Sequence, residues 1–190
     1  MTEDTENGLR AALPWGAVIY AAIILSAIVT VLLIRAFVVE PFSIPTESMC
    51  DTIEVGDSVL AEKITLELGG TVLQGDIIVF ENPERDPVKD VLCKRVVARG
   101  GQTVDLKDGS VYIDGKKITE DYAKGDSYPL NIGKAKRISY PYKIPKGEIW
   151  VMGDNRENSA DSRYFGAIPE DSVIGICVMR YLPVNRIGLL

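Results

Sequence analysis

The chain has 190 residues, a net charge of −6, 46% hydrophobic and 25% charged residues, and no histidine. The missing histidine excludes a Ser-His-Asp triad and histidine-held zinc or haem, and the acidic balance argues against a nucleic-acid partner. Three dispersed cysteines, Cys50, Cys93 and Cys177, fit neither a disulfide framework nor a Cys-x-x-Cys metal site, so no metal or cofactor is expected.

Residues 1–10 form a mainly acidic tail. From Ala11 to Ile34 there is no charged residue. A helix rising about 1.5 Å per residue over such a run crosses a hydrocarbon core of about 30 Å. Pro14 suits a first helical turn and Trp15 an interfacial belt. A cleaved signal peptide would have a basic leading region and a shorter apolar run. Residues 11–37 therefore read as a retained transmembrane anchor. Arg10 and Arg35 flank its two ends, so charge alone leaves the orientation tied. No later run is long enough to span, which places residues from 38 onward on one side.

Next comes SIPTESMC, residues 43–50, which presents Ser48 in an extended, proline-stiffened run. A serine nucleophile needs a base, and no imidazole exists to serve. Beyond it, SVLAEKITLEL (58–68) reads as helix, with strand an equal alternative. GDIIVF (75–80), VLCKRVVA (91–98), GSVYIDG (109–115), GEIWVMGD (147–154) and SVIGICVMRYL (172–182) are β-type runs, most of them bounded by turn residues. Asp-Gly at 108–109 and again at 114–115 predicts one hairpin with an adjoining turn. Residues 120–146 are polar and weakly periodic, an excursion or inserted subdomain on the sheet scaffold.

Strand alternation in VLCKRVV puts Leu92, Lys94 and Val96 on one face, and Val91, Cys93, Arg95 and Val97 on the other. A lysine between aliphatic neighbours on a core-facing surface is poorly solvated, which disfavours the ammonium. A neutral Lys94 amine can take the Ser48 proton. The plain alternative is an exposed strand lysine. In GDNRENSADSRYFG (153–166), dense polarity after an apolar strand describes a surface loop. Its residue types also permit a network: Asp161 can pair with Arg163, Arg95 can join them across the sheet, and Ser159 can hydrogen-bond the Lys94 amine.

Together, SIPTESM, KRVVARGGQTV (94–104) and GDNRENSADSRYFG resemble the nucleophile box, lysine box and distinctive signature of the type I bacterial signal peptidases, in particular their short single-span Gram-positive form. GDIIVF and PVNRIG (183–188) also fit, and the resemblance is weakest in 116–146. It implies a mainly β fold: a transmembrane helix, then a β-rich catalytic core (38–98 and 147–190) with a small inserted β subdomain (99–146). It implies Ser48 as nucleophile, Lys94 as general base, and an oxyanion hole from the Ser48 N–H and the Thr46 hydroxyl. Ser159, Asp161, Arg163, Arg95, Asp154 and Asn155 match supporting residues.

The implied reaction removes signal peptides from exported preproteins after a small-x-small, Ala-x-Ala-like site through an acyl-enzyme. The substrate is expected to lie extended between Phe42–Thr46 and Asp76–Phe80. Phe42, Ile44, Pro45, Met49, Ile53, Asp76, Ile78, Val79 and Cys93 are the candidate substrate contacts; ordinary core packing is the alternative for each apolar wall. The family places its N-terminus in the cytoplasm and its catalytic domain outside, at the lipid bilayer and near the translocation channel. One departure stands out. The family's proline shortly after the methionine is absent, and Met49 is followed by Cys50 and Asp51. That loss is expected to loosen the turn behind Ser48. Cys50 and Cys93 adjoin the two proposed catalytic residues, as small apolar filler or as thiols that make the site sensitive. Two other readings compete: a self-cleaving Ser-Lys protease of the repressor type, and a non-catalytic membrane-tethered β-domain that binds exported peptides.

Overall fold

A computed structural model describes residues 15–84, 90–130 and 138–190. The acidic tail, Ala11 to Pro14, and 131–137 within the excursion lie outside the described residues. The chain divides into two compact units, 1–36 and 37–190.

In the first unit, α1 (Trp15–Phe37) carries a span from Trp15 to Arg35 with mean hydropathy 2.8. Every side chain from Trp15 to Arg35 is exposed, with no polar stripe among them. A helix apolar on all sides has lipid or a core as its surroundings, and among the described residues none of this span is buried.

The second unit is mainly β. Its elements are β1 (Val39–Ser43), β2 (Ser58–Glu62), α2 (Ile64–Glu67), β3 (Ile77–Glu81), β4 (Val91–Arg99), β5 (Thr103–Lys107), β6 (Ser110–Ile113), β7 (Lys116–Lys117), β8 (Tyr142–Lys143), β9 (Glu148–Met152), α3 (Ser162–Phe165), β10 (Ile168–Pro169), β11 (Val173–Leu182) and β12 (Gly188–Leu189). One sheet runs β1-β2-β11-β3-β4-β9-β10, with β12 added to β11; the other runs β7-β6-β5-β8. The ambiguous run 58–68 splits, strand first and a short helix after. Val59 and Ala61 are buried at alternate positions, which holds 58–62 in the sheet.

Both Asp-Gly pairs are two-residue hairpin turns. Asp108 and Gly109 have φ of +50° and +71°, and Asp114 and Gly115 have +51° and +79°. Such turns need left-handed backbone at both positions, which Asp tolerates and Gly favours. The region is thus a three-strand meander rather than one hairpin with a turn.

β4 joins the two sheets' cores. Its alternation holds to Val96, where the register against β9 shifts by a bulge between Val96 and Ala98. Val96, Val97 and Ala98 are all fully buried as a result. Leu92 and Val96 pack with Ile78, Phe80 and Val151 in one apolar cluster. Val97 and Ala98 pack with Val104, Val111, Trp150 and Met152 under the second sheet. A third cluster, including Ile44, Met49, Ile53, Val79 and Cys177, lies behind the segment that carries Ser48.

Candidate active site

Ser48 sits in a single 3-10 turn, Glu47–Met49, that follows β1. Three features fix it. Ile44 donates its N–H to the Asp57 carbonyl (2.9 Å) and accepts from Gly56 N (2.8 Å). Met49 is fully buried and anchors the turn from below. From above, Asn155 donates its backbone N–H to the Ser48 carbonyl (3.1 Å) and its side-chain amide to the Glu47 carbonyl (3.1 Å). The segment after Ser48 is held despite the missing proline. The Ile53 N–H donates to the Met49 carbonyl (2.8 Å), and Asp51 pairs with Lys124 (3.0 Å).

Lys94 reaches this turn from β4. Its amine donates to Ser48 Oγ at 2.6 Å and to the Cys93 carbonyl at 3.0 Å. Lys94 is 2% exposed and Ser48 7%. Thr46 Oγ1 stands 3.3 Å from Ser48 Oγ, so a second hydroxyl lies beside that of Ser48. Among the described residues no group of His, Cys, Asp or Glu is placed to hold a metal ion.

The loop after β9 supports both partners, with a pairing different from the expected one. Arg95 binds Asp154, not the Asp161–Arg163 pair: Nε to Oδ1 at 2.9 Å and Nη2 to Oδ2 at 2.7 Å. Asp154 is fully buried and also accepts from Thr52 Oγ1 (2.6 Å). Asp161 and Arg163 close a separate bidentate pair two residues apart in sequence, with both bonds at 2.9 Å. That geometry follows from Asp161's place as cap of α3, where its carboxylate also accepts the Gly153 and Arg163 backbone N–H groups. Ser159 Oγ is buried without a hydrogen-bond partner among the described residues, so the expected bond to Lys94 is not formed. Gly153 explains how tightly the loop meets Ser48. A Cβ there would lie 2.4 Å from the Ser48 carbonyl oxygen and 2.3 Å from Ser159 Oγ.

Several supporting residues carry no sequence signal of their own. The Tyr122 ring caps the Arg95 guanidinium at 4.1 Å. Its hydroxyl donates to Glu120 (3.0 Å), and Glu120 clamps Arg156 through two bonds of 2.6 and 3.0 Å. Arg156 in turn donates to the Gly153 carbonyl (3.0 Å). Burial, reinforced by Glu120, raises the pKa of the Tyr122 phenol and keeps it neutral. Asp57, 1% exposed, faces Arg180 (3.6 Å) and Arg186 (3.4 Å), and Arg180 also holds the Thr52 carbonyl (2.7 Å). This ties the C-terminal PVNRIG stretch to the loop behind Ser48.

A cleft of about 150 Å³ opens beside the Ser48–Lys94 pair, lined by Phe42–Thr46, Val79 and Asp90–Lys94. Phe42, Ile44, Pro45, Val79 and Cys93, five of the candidate contacts, are among its lining residues. Met49 and Ile53 do not line the cleft; both are fully buried in the cluster behind it. The expected wall at Asp76–Phe80 needs correction. β3 is hydrogen-bonded to β11 on one edge and to β4 on the other, so it has no edge to offer a peptide. Ile78 is fully buried between them, and the Asp76 carboxylate accepts the Leu73 N–H (2.7 Å). Among the described residues, the open edges belong to β1, paired only with β2, and to Val91–Lys94, because β9 pairs with β4 only from Arg95 onward.

Residues 17–182 match the family model described as signal peptidase, peptidase S26. This chain belongs to that family. A probable signal peptidase I-1 of Synechocystis is 38% identical over 162 residues, covering 82% of this chain and 78% of that protein. Signal peptidase I T of Bacillus subtilis is 36% identical over 177 residues, covering 92% of this chain and 87% of that protein. A crystal structure of a signal peptidase I from Enterococcus faecalis overlaps 55% of this chain and 95% of its own, at 30% identity and a TM-score of 0.42. As a signal peptidase family member, the chain is a serine peptidase carrying an N-terminal helix long and apolar enough to cross a membrane.

Proposed function

We propose that this chain removes signal peptides from exported preproteins, cutting after a small-x-small site with a Ser48/Lys94 dyad. The observation that carries the reading is the 2.6 Å bond between the Lys94 amine and Ser48 Oγ, both inside the protein. Burial opposes the ammonium form, so the amine is available as a base where an exposed lysine would be protonated. Lys94 takes the Ser48 proton as Oγ attacks the scissile carbonyl. The Ser48 N–H and Thr46 Oγ1 receive the developing oxyanion. The lysine ammonium then protonates the leaving amine, which frees the mature N-terminus. The acyl-enzyme is hydrolysed by a water that the same amine deprotonates.

The substrate lies as an extended strand between the open edges of β1 and of Val91–Lys94. Main-chain hydrogen bonds to those edges bind any sequence alike, and the small apolar cleft selects small side chains. The Arg95–Asp154 and Asp161–Arg163 pairs are positioning groups. α1 is the anchor, with the N-terminus cytoplasmic and the catalytic unit outside, close to where preproteins leave the translocation channel.

The test compares the wild type, Ser48→Ala and Lys94→Ala on a preprotein with an Ala-x-Ala site. Cleavage by the wild type alone is expected. Cleavage by Ser48→Ala would remove the nucleophile assignment, and self-cleavage without action on the preprotein would favour the repressor-type reading.

A further inference from the structure

Residues 120–127 lie between β7 and β8 and contribute no helix or strand. The fold nevertheless lays them along the loop that meets Ser48. A parallel bridge pairs Lys124 with Asn155. The Lys124 N–H donates to the Asp154 carbonyl (2.7 Å), and the Arg156 N–H donates to the Lys124 carbonyl (2.9 Å). Both peptide groups that flank Asn155 are thus held by one residue. The neighbouring side chains are held as well. The Tyr122 ring covers the guanidinium of Arg95, which grips Asp154, while Glu120 grips Arg156. The Tyr122 hydroxyl joins the two grips by donating to Glu120. At the far end, the Ser127 N–H donates to the Gly109 carbonyl (2.9 Å), which ties the segment to the β5–β6 turn.

What Asn155 does from this position is specific. Its backbone N–H reaches the Ser48 carbonyl and its side-chain amide reaches the Glu47 carbonyl, both at 3.1 Å. The Glu47 carbonyl and the Ser48 N–H belong to one peptide group. A peptide group is planar, so holding its oxygen sets the direction in which its N–H points. A hydrogen bond accepted at the oxygen also polarises the amide and strengthens its N–H as a donor. In the mechanism proposed above, that N–H receives the oxyanion.

We propose that residues 120–127 are a positioning strap for the peptide group that joins Glu47 to Ser48, with Tyr122 as its central positioning residue and Asn155 as the group through which it acts. The effect on catalysis rests on the Ser48 reading above; the hold on the peptide does not. Tyr122 works through Arg95 and Glu120. Without its ring face, Arg95 loses its cover and Glu120 loses a donor, and the residues on both sides of Asn155 lose definition together. None of residues 120–127 lines the cleft. Loosening the strap therefore acts on the step that forms the oxyanion and leaves substrate binding as it was.

The test measures cleavage of an Ala-x-Ala preprotein by the purified full chain in detergent. Tyr122→Leu keeps bulk but removes the ring face; it should lower kcat about tenfold with KM changed less than about twofold, and Tyr122→Phe should recover most of the loss. In an Asn155→Ala background, Tyr122→Leu should cost no more than about twofold, because the group it acts through is gone. Glu120→Gln loosens the Arg156 side of the clamp and should show the same kcat loss and the same dependence on Asn155, which keeps the strap testable should Tyr122→Leu fail to fold. Hydrogen exchange read by mass spectrometry needs no turnover. In Tyr122→Leu, peptides covering residues 47–50 and 153–156 should exchange faster, with β3 and β11 unchanged. Equal costs in the two backgrounds, a loss carried by KM, a Phe variant as impaired as the Leu variant, or faster exchange spread over the whole sheet would each overturn the proposal. A wild type that cleaves no preprotein counts against the Ser48/Lys94 reading, and the exchange pattern then decides the strap by itself.

Discussion

The Arg95–Asp154 pair offers the sharpest test of how the site is braced, because residue types alone favour a different pairing. Asp154 is fully buried and accepts three hydrogen bonds, two from Arg95 and one from Thr52. Asp154→Asn keeps the shape but removes the charge, so it leaves a guanidinium uncompensated. Losing one partner of a buried pair costs about 3–5 kcal/mol. Arg95 retains the Gly75 carbonyl (2.8 Å) and the Tyr122 ring face, which places the expected loss near the lower end, about 3 kcal/mol. The measurement is urea unfolding of the full chain in detergent, followed by the fluorescence of buried Trp150. A double-mutant cycle of Arg95→Leu with Asp154→Leu should give a coupling of about 1.5–3 kcal/mol, whereas Arg95→Leu with Asp161→Leu should fall below about 0.5 kcal/mol. Activity should fall with stability in Asp154→Asn, since Asn155, the next residue, holds the Ser48 and Glu47 carbonyls. Equal couplings for the two cycles, or a loss under about 1 kcal/mol in Asp154→Asn, would refute the bracing argument.

Further outcomes follow from the same geometry. Gly153→Ala puts a methyl against the Ser48 carbonyl and Ser159, so cleavage should collapse while circular dichroism still reports a β fold. On the proposed mechanism, Thr46→Val should lower kcat by about 100-fold with little change in KM, the effect of losing one oxyanion donor, and Thr46→Ser should restore most of it. Leu92→Ser wets the surroundings of the Lys94 amine and favours the ammonium, the inactive form in the proposed mechanism. The ascending limb of kcat/KM against pH should therefore move to higher pH; an unmoved limb would mean that another group sets it.

Much of this protein is legible in the chain because it depends on neighbours along the chain. The span from Trp15 to Arg35, the Asp-Gly turns and the strand run around Lys94 all follow from local pattern and backbone sterics. The absence of histidine, with Ser48 and Lys94 each in a motif, narrows the chemistry from the sequence alone. What alternation could not give was strand order. Which edges of β3 and β4 stay open depends on β11 and β9, more than fifty residues further along, and this moved one wall of the cleft from Asp76–Phe80 to Asp90–Lys94. Ion pairing was equally beyond a local reading: several carboxylates compete for each arginine, and only the packed loop decides that Arg95 faces Asp154 while Asp161 is taken up capping α3. Composition and period act over a few residues and set the elements; contacts across the sheet act through space, and they alone choose partners.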